Sequence, residues 1–321
     1  MNQRLLLIAS LGVLAFLPGV LGASDDIYAT LVTIAVFAVM AYGLDVIVSD
    51  LGEVSLAHTV FFAAGAYATG YFSTRFGAGP LLTFAAAIAI SMALAALVGR
   101  ATLRLREFVF SLVTYAVAIV ALTVAQNWSV LGGSDGIRGI PALQLGWGAW
   151  AWSASSNSAL WPVALGLLAL TLYVVFKFRA SALGKAALMS HQNPRLALMS
   201  GIQPERVRMQ VFILSAPITA SAGWLYAYQR AYVSADVLDT YFLILMLTAV
   251  ILFGRRQLVG PLLAIGLIVA QERFFSMGAY YDKMLLGGVI VLTLAFFPGG
   301  IFTALVGSLQ RRKAANARST A

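Results

Sequence analysis

The stretch YGLDVIVSDLGEVSLAHTVFFAAGAYATG, residues 42–70, places ionisable side chains between two apolar runs. It contains the acids Asp45, Asp50 and Glu53, and the histidine His58 follows them. Ionisable groups are costly inside a bilayer and usually face a bundle interior or a water-filled cavity. Two interpretations are open: a solvated turn between helices, or a broken helix whose irregular backbone is buried by protein or lines water. Asp45 falls within the apolar run, which makes a solvated turn the poorer interpretation for this residue.

The composition around this stretch is that of a membrane protein. Of 321 residues, 61% are hydrophobic and 10% are charged, with a mean hydropathy of +0.89. Soluble domains contain about 25% charged residues, so lipid is the solvent expected for this chain. The net charge of +9 then indicates Lys-rich and Arg-rich cytoplasmic loops rather than binding of nucleic acid. The sequence has no cysteine, which excludes disulfides and thiolate metal sites.

Ten apolar runs have the length and composition that predict membrane-spanning helices. They lie near residues 5–22, 27–48, 57–74, 80–99, 107–127, 158–178, 207–229, 240–253, 258–275 and 284–308. The run at 240–253 is short, a polar break at 254–260 follows it, and Pro298-Gly299-Gly300 interrupts the last run. The sequence therefore predicts an all-α polytopic membrane protein, residues 1–321 forming one transmembrane domain with broken or re-entrant helices.

The distribution of basic residues predicts the orientation of these spans. With the N-terminus in the cytoplasm, 16 of the 21 Lys and Arg residues lie on the cytoplasmic side and 5 lie outside. The opposite orientation would invert that ratio and violate the positive-inside rule. Both termini are therefore expected in the cytoplasm, with a periplasmic loop at 128–157 and a basic cytoplasmic tail at 309–321. The first span also has features of a cleaved signal peptide, but an uncleaved span is the preferred interpretation.

No catalytic pattern is present in the sequence. It contains two histidines and lacks a zinc-binding H-E-x-x-H pair, a G-x-x-x-x-G-K-[ST] phosphate loop and a G-x-S-x-G nucleophile elbow. We therefore predict that the chain is not an enzyme and carries no catalytic residue, metal site or cofactor. By this prediction, any ATP hydrolysis takes place in another subunit.

A basic, half-apolar segment, SALGKAALMSHQNPRLALMSGIQPERVRMQ at 181–210, lies between the sixth and seventh spans. It follows a helical rhythm of small and apolar residues and also carries Lys185, His191 and Arg195. The orientation predicted above places it in the cytoplasm. On charge alone it is an ordinary positive-inside loop.

Five blocks occur in order over most of the chain: GEVSLAHTVFFAAGAYATG, LRLREFVFSLVTYAVAIV, LGGSDGIRGIP, SALGKAALMSHQNPRLALMSGI and SAGWLYAYQRAYVSADVL. Together they resemble the permease subunits of branched-chain amino acid ABC importers, a family related to urea and sugar permeases. The chain departs from that pattern at Glu53 and Ala57, where the family has Gln and Gly, and at Arg255 and Arg256, which replace a flexible glycine and its neighbour. These departures leave the solute open among a branched-chain amino acid, another amino acid, urea, a short amide and a small organic acid.

The resemblance implies ATP-driven alternating access in a bacterial inner membrane. The implied partners are a second homologous permease, two cytoplasmic ATP-binding subunits and a periplasmic solute-binding protein. It further implies a coupling segment at 180–206, with a helix around residues 190–200 docking on an ATP-binding subunit, Arg195 at the rim and Ala197 in the packed centre. The predicted coupling residues are Gly184, Lys185, Asn193, Arg195, Ala197 and Gly201.

Two further groups of residues are candidates for function. The polar residues Asp45, Ser55, His58 and Tyr67 are expected near the substrate pathway. Ser134, Asp135 and Arg138, in the outer loop, are expected to contact the binding protein. For His58 alone, a packed and hydrogen-bonded side chain is the simpler interpretation. A competing function, a secondary transporter driven by H⁺ or Na⁺, would use the acids Asp45, Asp50 and Glu53.

Overall fold

The chain folds as a bundle of α-helices in a computed structural model that describes residues 3–102, 105, 107–146, 152–275 and 279–296. Within these residues, the α-helices are α1 Gln3–Val20, α2 Asp25–Asp50, α3 His58–Phe76, α4 Pro80–Thr102, α5 Glu107–Asn127, α6 Asn157–Ala180, α7 Ala182–Gln192, α8 Pro194–Met199, α9 Pro204–Arg230, α10 Thr240–Leu252, α11 Gly260–Phe275 and α12 Ala279–Phe296. A helix lies at each of the ten predicted positions, and α7 and α8 occupy the basic segment. The predicted all-α fold is confirmed.

Helices α2, α4, α6, α9 and most of α5 are each long and apolar enough to cross a membrane. The polytopic class predicted from the sequence agrees with them. The number of spans and the side of each terminus stay predictions. The basic tail at 309–321, the Pro298-Gly299-Gly300 break and residues 147–151 of the outer loop lie outside the described residues.

Helix α2 lies at the centre of the bundle. Its side chains are buried on every face from Ala35 onward to Leu51, and it packs against α6, α9, α10 and α11. A helix surrounded by protein has no polar stripe, which explains why this run is apolar all round. Charged groups that α2 does carry must therefore find partners inside the protein.

Helices α3 and α9 approach each other through glycines. A methyl group at Gly65 would overlap the carbonyl of Ala220, and one at Gly223 would overlap the carbonyl of Phe62. Small residues allow such close backbone contact between membrane helices, where packing replaces the hydrophobic effect as the driving force. Two glycines facing opposite ways therefore set the distance between these helices.

Polar contacts join helices at both ends of the bundle. At the end predicted to be cytoplasmic, Arg208 contacts Glu53 at 2.7 Å and donates to the carbonyl of Leu105 at 3.0 Å. At the other end, the Asn157 side chain donates to the Asp25 carboxylate at 2.9 Å. Residues 53, 105 and 208 thus lie together at one end and residues 25 and 157 at the other, while the side of the membrane on which each end lies stays a prediction.

Four short β-strands lie at the end of the bundle predicted to be periplasmic. They are β1 Ile137–Arg138, β2 Leu143–Leu145, β3 Trp152–Ala154 and β4 Tyr232–Val233. Strand β1 pairs antiparallel with β4, and β2 pairs antiparallel with β3. The pair of β1 and β4 connects the outer loop to the segment that follows α9.

Candidate functional site

The segment joining α2 to α3, residues 51–57, runs back into the bundle, and we call it the re-entrant segment. The Glu53 carboxylate meets Arg208 at 2.7 Å, whereas His58 Nε2 lies 3.2 Å from the Ser215 hydroxyl. At about 1.5 Å per residue, Arg208 lies ~6 Å and Ser215 ~16 Å along α9 from its first residue. Glu53 and His58 therefore contact residues ~10 Å apart along α9, and α3 begins inside the bundle, where His58 is 0% exposed.

Helix α5 holds the middle of the re-entrant segment. The Ser111 hydroxyl donates to the Val54 carbonyl at 2.8 Å, and the Leu56 amide donates to the Thr114 hydroxyl at 3.1 Å. These bonds satisfy backbone groups that no helix pairs, which is the condition for irregular backbone at membrane depth. Because Asp50, at the mouth of this segment, is 0% exposed, the solvated-turn interpretation is wrong for that residue.

Three polar residues, Ser55, His58 and Thr59, form the buried tip of the re-entrant segment, and we call them the polar tip. Each is at most 1% exposed. The hydroxyls of Ser55 and Thr59 have no hydrogen-bond partner among the described residues, and no side chain caps the start of α3. Buried polar groups normally find a partner, so this tip is chemically suited to hold water or a polar solute.

His58 is fixed by packing as well as by its hydrogen bond. Its ring makes edge contacts with Phe61, at 5.3 Å between centroids, and with Phe212, at 6.1 Å. This geometry agrees with the interpretation of His58 as a packed, hydrogen-bonded side chain. Its place near a substrate pathway stays a prediction.

Tyr67 lies apart from the polar tip. At 3.6 residues per turn it points to roughly the opposite side of α3 from His58. It is 6% exposed, and its hydroxyl has no partner among the described residues. It lines a groove of about 540 Å³ between α3, α4 and α5, whose walls are mainly apolar side chains. The structure therefore brings Ser55 and His58 together but not Tyr67.

Asp45 lies in a buried ion network. One of its oxygens accepts a hydrogen bond from Arg179 at 2.7 Å, and the other accepts one from Ser49 at 2.5 Å. Arg179 also donates to Asp50 at 3.0 Å, so one guanidinium joins two acids of α2. Both oxygens of Asp45 are thus engaged by protein groups, and its role in the pathway stays a prediction.

The partners of these acids were not identified from the sequence. Arg179 follows the sixth apolar run and Arg256 lies in the break after α10, so the sequence predicts that both are ordinary basic residues of cytoplasmic loops. The available signal was Asp45 itself, because an acid within a buried apolar run requires a cation in the same interior. Which cation pairs with Asp45 depends on helix packing, which cannot be read from the sequence alone.

The predicted coupling residues lie on or beside two short helices, α7 and α8, at the end predicted to be cytoplasmic. Instead of one helix around 190–200, the chain breaks at Asn193 and Pro194. The Asn193 side chain accepts from the Leu196 amide at 3.0 Å, and Pro194 occupies the first turn, where no amide donor is needed. Gly201 ends α8 with a φ of +77°, a left-handed conformation that glycine adopts without strain.

Three large apolar side chains of α8 are exposed. Leu196, Leu198 and Met199 are exposed, Met199 by 87%, and we call these three the α8 surface. Arg195 and, on α7, Lys185 are exposed beside it. Gly184 is buried, and so is Ala197, which packs within this chain rather than on its surface. The coupling role of these residues stays a prediction.

The three predicted binding-protein contacts lie on the outer loop. Ser134, Asp135 and Arg138 are all exposed. Arg138 belongs to β1, and its guanidinium lies 5.7 Å from the centre of the Tyr232 ring on β4. The loop that carries them is therefore ordered against the outer end of α9. Contact with a binding protein stays a prediction.

Among the described residues, no group of three His, Asp or Glu side chains could hold a metal ion. The acids Asp45 and Asp50 are paired with arginines, and the one buried histidine of the polar tip bonds to a serine.

Comparison with known proteins agrees with this architecture. Residues 27–294 match the family model described as branched-chain amino acid transport system / permease component. The chain is 27% identical over 320 residues to the high-affinity branched-chain amino acid transport system permease protein LivM of Salmonella typhimurium, covering 94% of this chain and 75% of LivM. The LivM protein of Escherichia coli gives the same identity and coverage.

A solved structure, PsaBC from Streptococcus pneumoniae in complex with Fab, is a more distant match. It is 16% identical, with a TM-score of 0.45, covering 91% of this chain and 98% of that one.

Proposed function

Because the chain belongs to the family of branched-chain amino acid transport system permease components, we propose that it forms the membrane path of an ATP-driven importer. The family match over residues 27–294 is the observation that supports this proposal. The solute we propose is a branched-chain or other amino acid, since both curated relatives are named as high-affinity branched-chain amino acid permeases. The chain supplies the path, and its partners supply the hydrolysis.

The proposed partners are two cytoplasmic ATP-binding subunits, a second homologous permease and a periplasmic solute-binding protein, assembled in a bacterial inner membrane. Two observations support the ATP-binding subunits. The chain lacks a phosphate loop, and it exposes the apolar α8 surface at its cytoplasmic end. The exposed Ser134, Asp135 and Arg138 are the proposed contact for the binding protein.

Reconstitution tests this function. The permease pair and ATP-binding subunits are placed in liposomes with the binding protein, and uptake of labelled leucine is measured with ATP and with a non-hydrolysable analogue. We expect uptake that requires hydrolysis and survives ionophores. Uptake by the chain alone, abolished by ionophores, would instead identify an ion-coupled secondary transporter. Uptake of urea, a short amide or an organic acid in place of leucine would correct the solute and leave the mechanism intact.

We propose that the polar tip lies on the solute path. A zwitterionic solute that loses its hydration needs hydrogen-bonding groups at depth, and the tip offers two buried hydroxyls that have no partner among the described residues. The start of α3 adds amide groups that no side chain caps and the positive end of a helix dipole, which suit a carboxylate. The alternative is that these groups bind ordered water and hold the helix break together.

Replacing Ser55 with alanine tests the path. The change removes a hydroxyl without adding volume, so we expect the uptake rate at saturating binding protein to fall about tenfold, the effect of one lost hydrogen bond. Ser73→Ala is the matched control, because the Ser73 hydroxyl bonds only to the Gly70 carbonyl of its own helix among the contacts described. Normal uptake by Ser55→Leu, with normal expression, would exclude this site from the path.

The orientation predicts a labelling pattern. Asp135 and Gln192 are both exposed, so their accessibility differs only by the side of the membrane on which they lie. We expect a membrane-impermeant thiol reagent to label Asp135→Cys in intact cells and to label Gln192→Cys only after permeabilisation. The chain contains no cysteine, so background from it is zero. Labelling of position 192 alone in intact cells would invert the topology.

A further inference from the structure

Four charged side chains meet at the cytoplasmic end of α2: Asp45, Asp50, Arg179 and Arg256. We call them the α2 charge cluster. Arg179 contacts Asp45 at 2.7 Å and Asp50 at 3.0 Å, and Arg256 contacts Asp50 at 2.9 Å. Both acids are almost fully buried and the Arg179 side chain is 9% exposed. The cluster balances two negative charges with two positive charges, which is what allows it to be buried.

The cluster joins α2 to the segment that enters the cytoplasm. Arg179 is close to the end of α6, and Ser181 both ends α6 and begins α7. The Ser181 hydroxyl donates to the Phe178 carbonyl at 2.6 Å and accepts from the Gly184 amide at 3.2 Å. A side chain at Gly184 would overlap the Phe178 carbonyl. The start of α7 is therefore held at a fixed angle to the end of α6, where Arg179 lies.

The cluster also joins α2 to the loop between α10 and α11, residues 253–259. The Arg256 amide donates to the Ser49 hydroxyl at 2.9 Å, and Ser49 in turn donates to Asp45 at 2.5 Å. The Tyr42 hydroxyl donates to the Leu258 carbonyl. The α10–α11 loop is thus hydrogen-bonded to α2 through both side-chain and backbone groups.

A separate contact links α7 to the re-entrant segment. The ring of His191, at the end of α7, lies against Gly52, so closely that any side chain at Gly52 would overlap it. A displacement of α7 and α8 therefore reaches two places in the bundle. Through Arg179 the displacement would reach α2 and the α10–α11 loop. Through His191 it would reach the re-entrant segment that leads to the polar tip.

We propose that Arg179 is the positioning residue that transmits movement of α7 and α8 to the core of the permease, an inference that rests on the proposed ATP-driven function. A guanidinium suits this task because its planar fork holds two carboxylates at once in a fixed geometry. A lysine ammonium keeps the charge but lacks that fork. The α2 charge cluster then acts as a rigid connection from α7 and α8 to the α10–α11 loop and to the start of the re-entrant segment.

The test is Arg179→Lys in the reconstituted complex, with Lys177→Arg as the matched control. Lys177 is exposed on the same helix, close to Arg179, and makes no contact with the cluster among the contacts described. The readout is solute transported per ATP hydrolysed. We expect Arg179→Lys to lower this ratio about fivefold or more, in the range of coupling between sites, with ATP hydrolysis changed less than about twofold. A role in stability alone lowers both rates together and would overturn the proposal, as would an unchanged ratio.

A second variant decides the question if Arg179→Lys is not recovered as a folded protein. Ser49→Ala leaves all four charges in place and removes the hydroxyl that connects Asp45 to the Arg256 amide. A lower ratio of solute to ATP in Ser49→Ala supports this connection, and a wild-type ratio overturns it. Failure of the proposed function is distinct, because the wild-type complex would then show no ATP-driven uptake at all.

Discussion

Replacing Met199 with aspartate is expected to detach the ATP-binding subunits from the permease. Met199 is the most exposed side chain of the α8 surface, and Leu196 shares its helix face at a spacing of three residues. If this surface docks in a groove, a buried aspartate there would lose its hydration without gaining a partner. We expect affinity to fall at least about a hundredfold, the effect of losing a central contact. Co-purification in mild detergent and ATPase activity in liposomes measure it.

Arg195→Ala is the control variant for this prediction. Arg195→Ala should have a small effect, since an exposed charge at a rim contributes little to affinity. Ala197→Glu would not test docking: the sequence predicted Ala197 in the packed centre of the contact, but Ala197 is buried in its own chain, and a glutamate there would disrupt α8 directly. Full co-purification of Met199→Asp would exclude the α8 surface. The contact would then be sought at the predicted turn Arg100–Arg106 or at Arg255 and Arg256.

Replacing Gly65 with leucine is expected to prevent the permease from folding. The backbone of α3 lies against the Ala220 carbonyl of α9 at this point, and Gly223 makes the reciprocal contact with Phe62. A leucine would force apart two buried helices whose contact positions the polar tip. Overpacking of this kind costs about 3 kcal/mol or more where backbone must move. We expect little monodisperse protein on size-exclusion chromatography and a lower thermal midpoint for what remains.

The control for that change is Gly166→Leu on α6. Gly166 is exposed, and nothing lies within 4 Å of the position that a Cβ would occupy. The same gain in volume should therefore leave the elution profile and the thermal midpoint close to those of the wild type. Equal behaviour of the two variants, both folded, would show that α3 and α9 are not in the close contact described.

The sequence by itself determined the class of the protein and the positions of its helices. Runs of apolar residues with few charges predict helices wherever lipid or protein surrounds the chain, because a helix satisfies its own backbone hydrogen bonds. That local rule is why a helix lies at each of the ten predicted positions. The family blocks are likewise a property of residue order, and the family match confirms them. The prediction of one helix around residues 190–200 was wrong, because the chain breaks at Asn193 and Pro194. The signal for that break was local, since proline lacks an amide donor and starts a helix well.

Only the tertiary structure decided what the polar residues between these helices do. The sequence from Asp50 to His58 is compatible with a solvated turn or with a buried re-entrant segment. Contacts with α5 and α9, which are distant in sequence, decide between the two. Asp45 looked like a pathway residue because a lone acid in an apolar run is costly, yet Arg179 meets it from another helix. Ala197 looked available for docking until its burial was known. Hydrophobicity and helix propensity are local, whereas pairing of buried charges depends on which helix ends meet in space, and that follows from packing of the whole bundle.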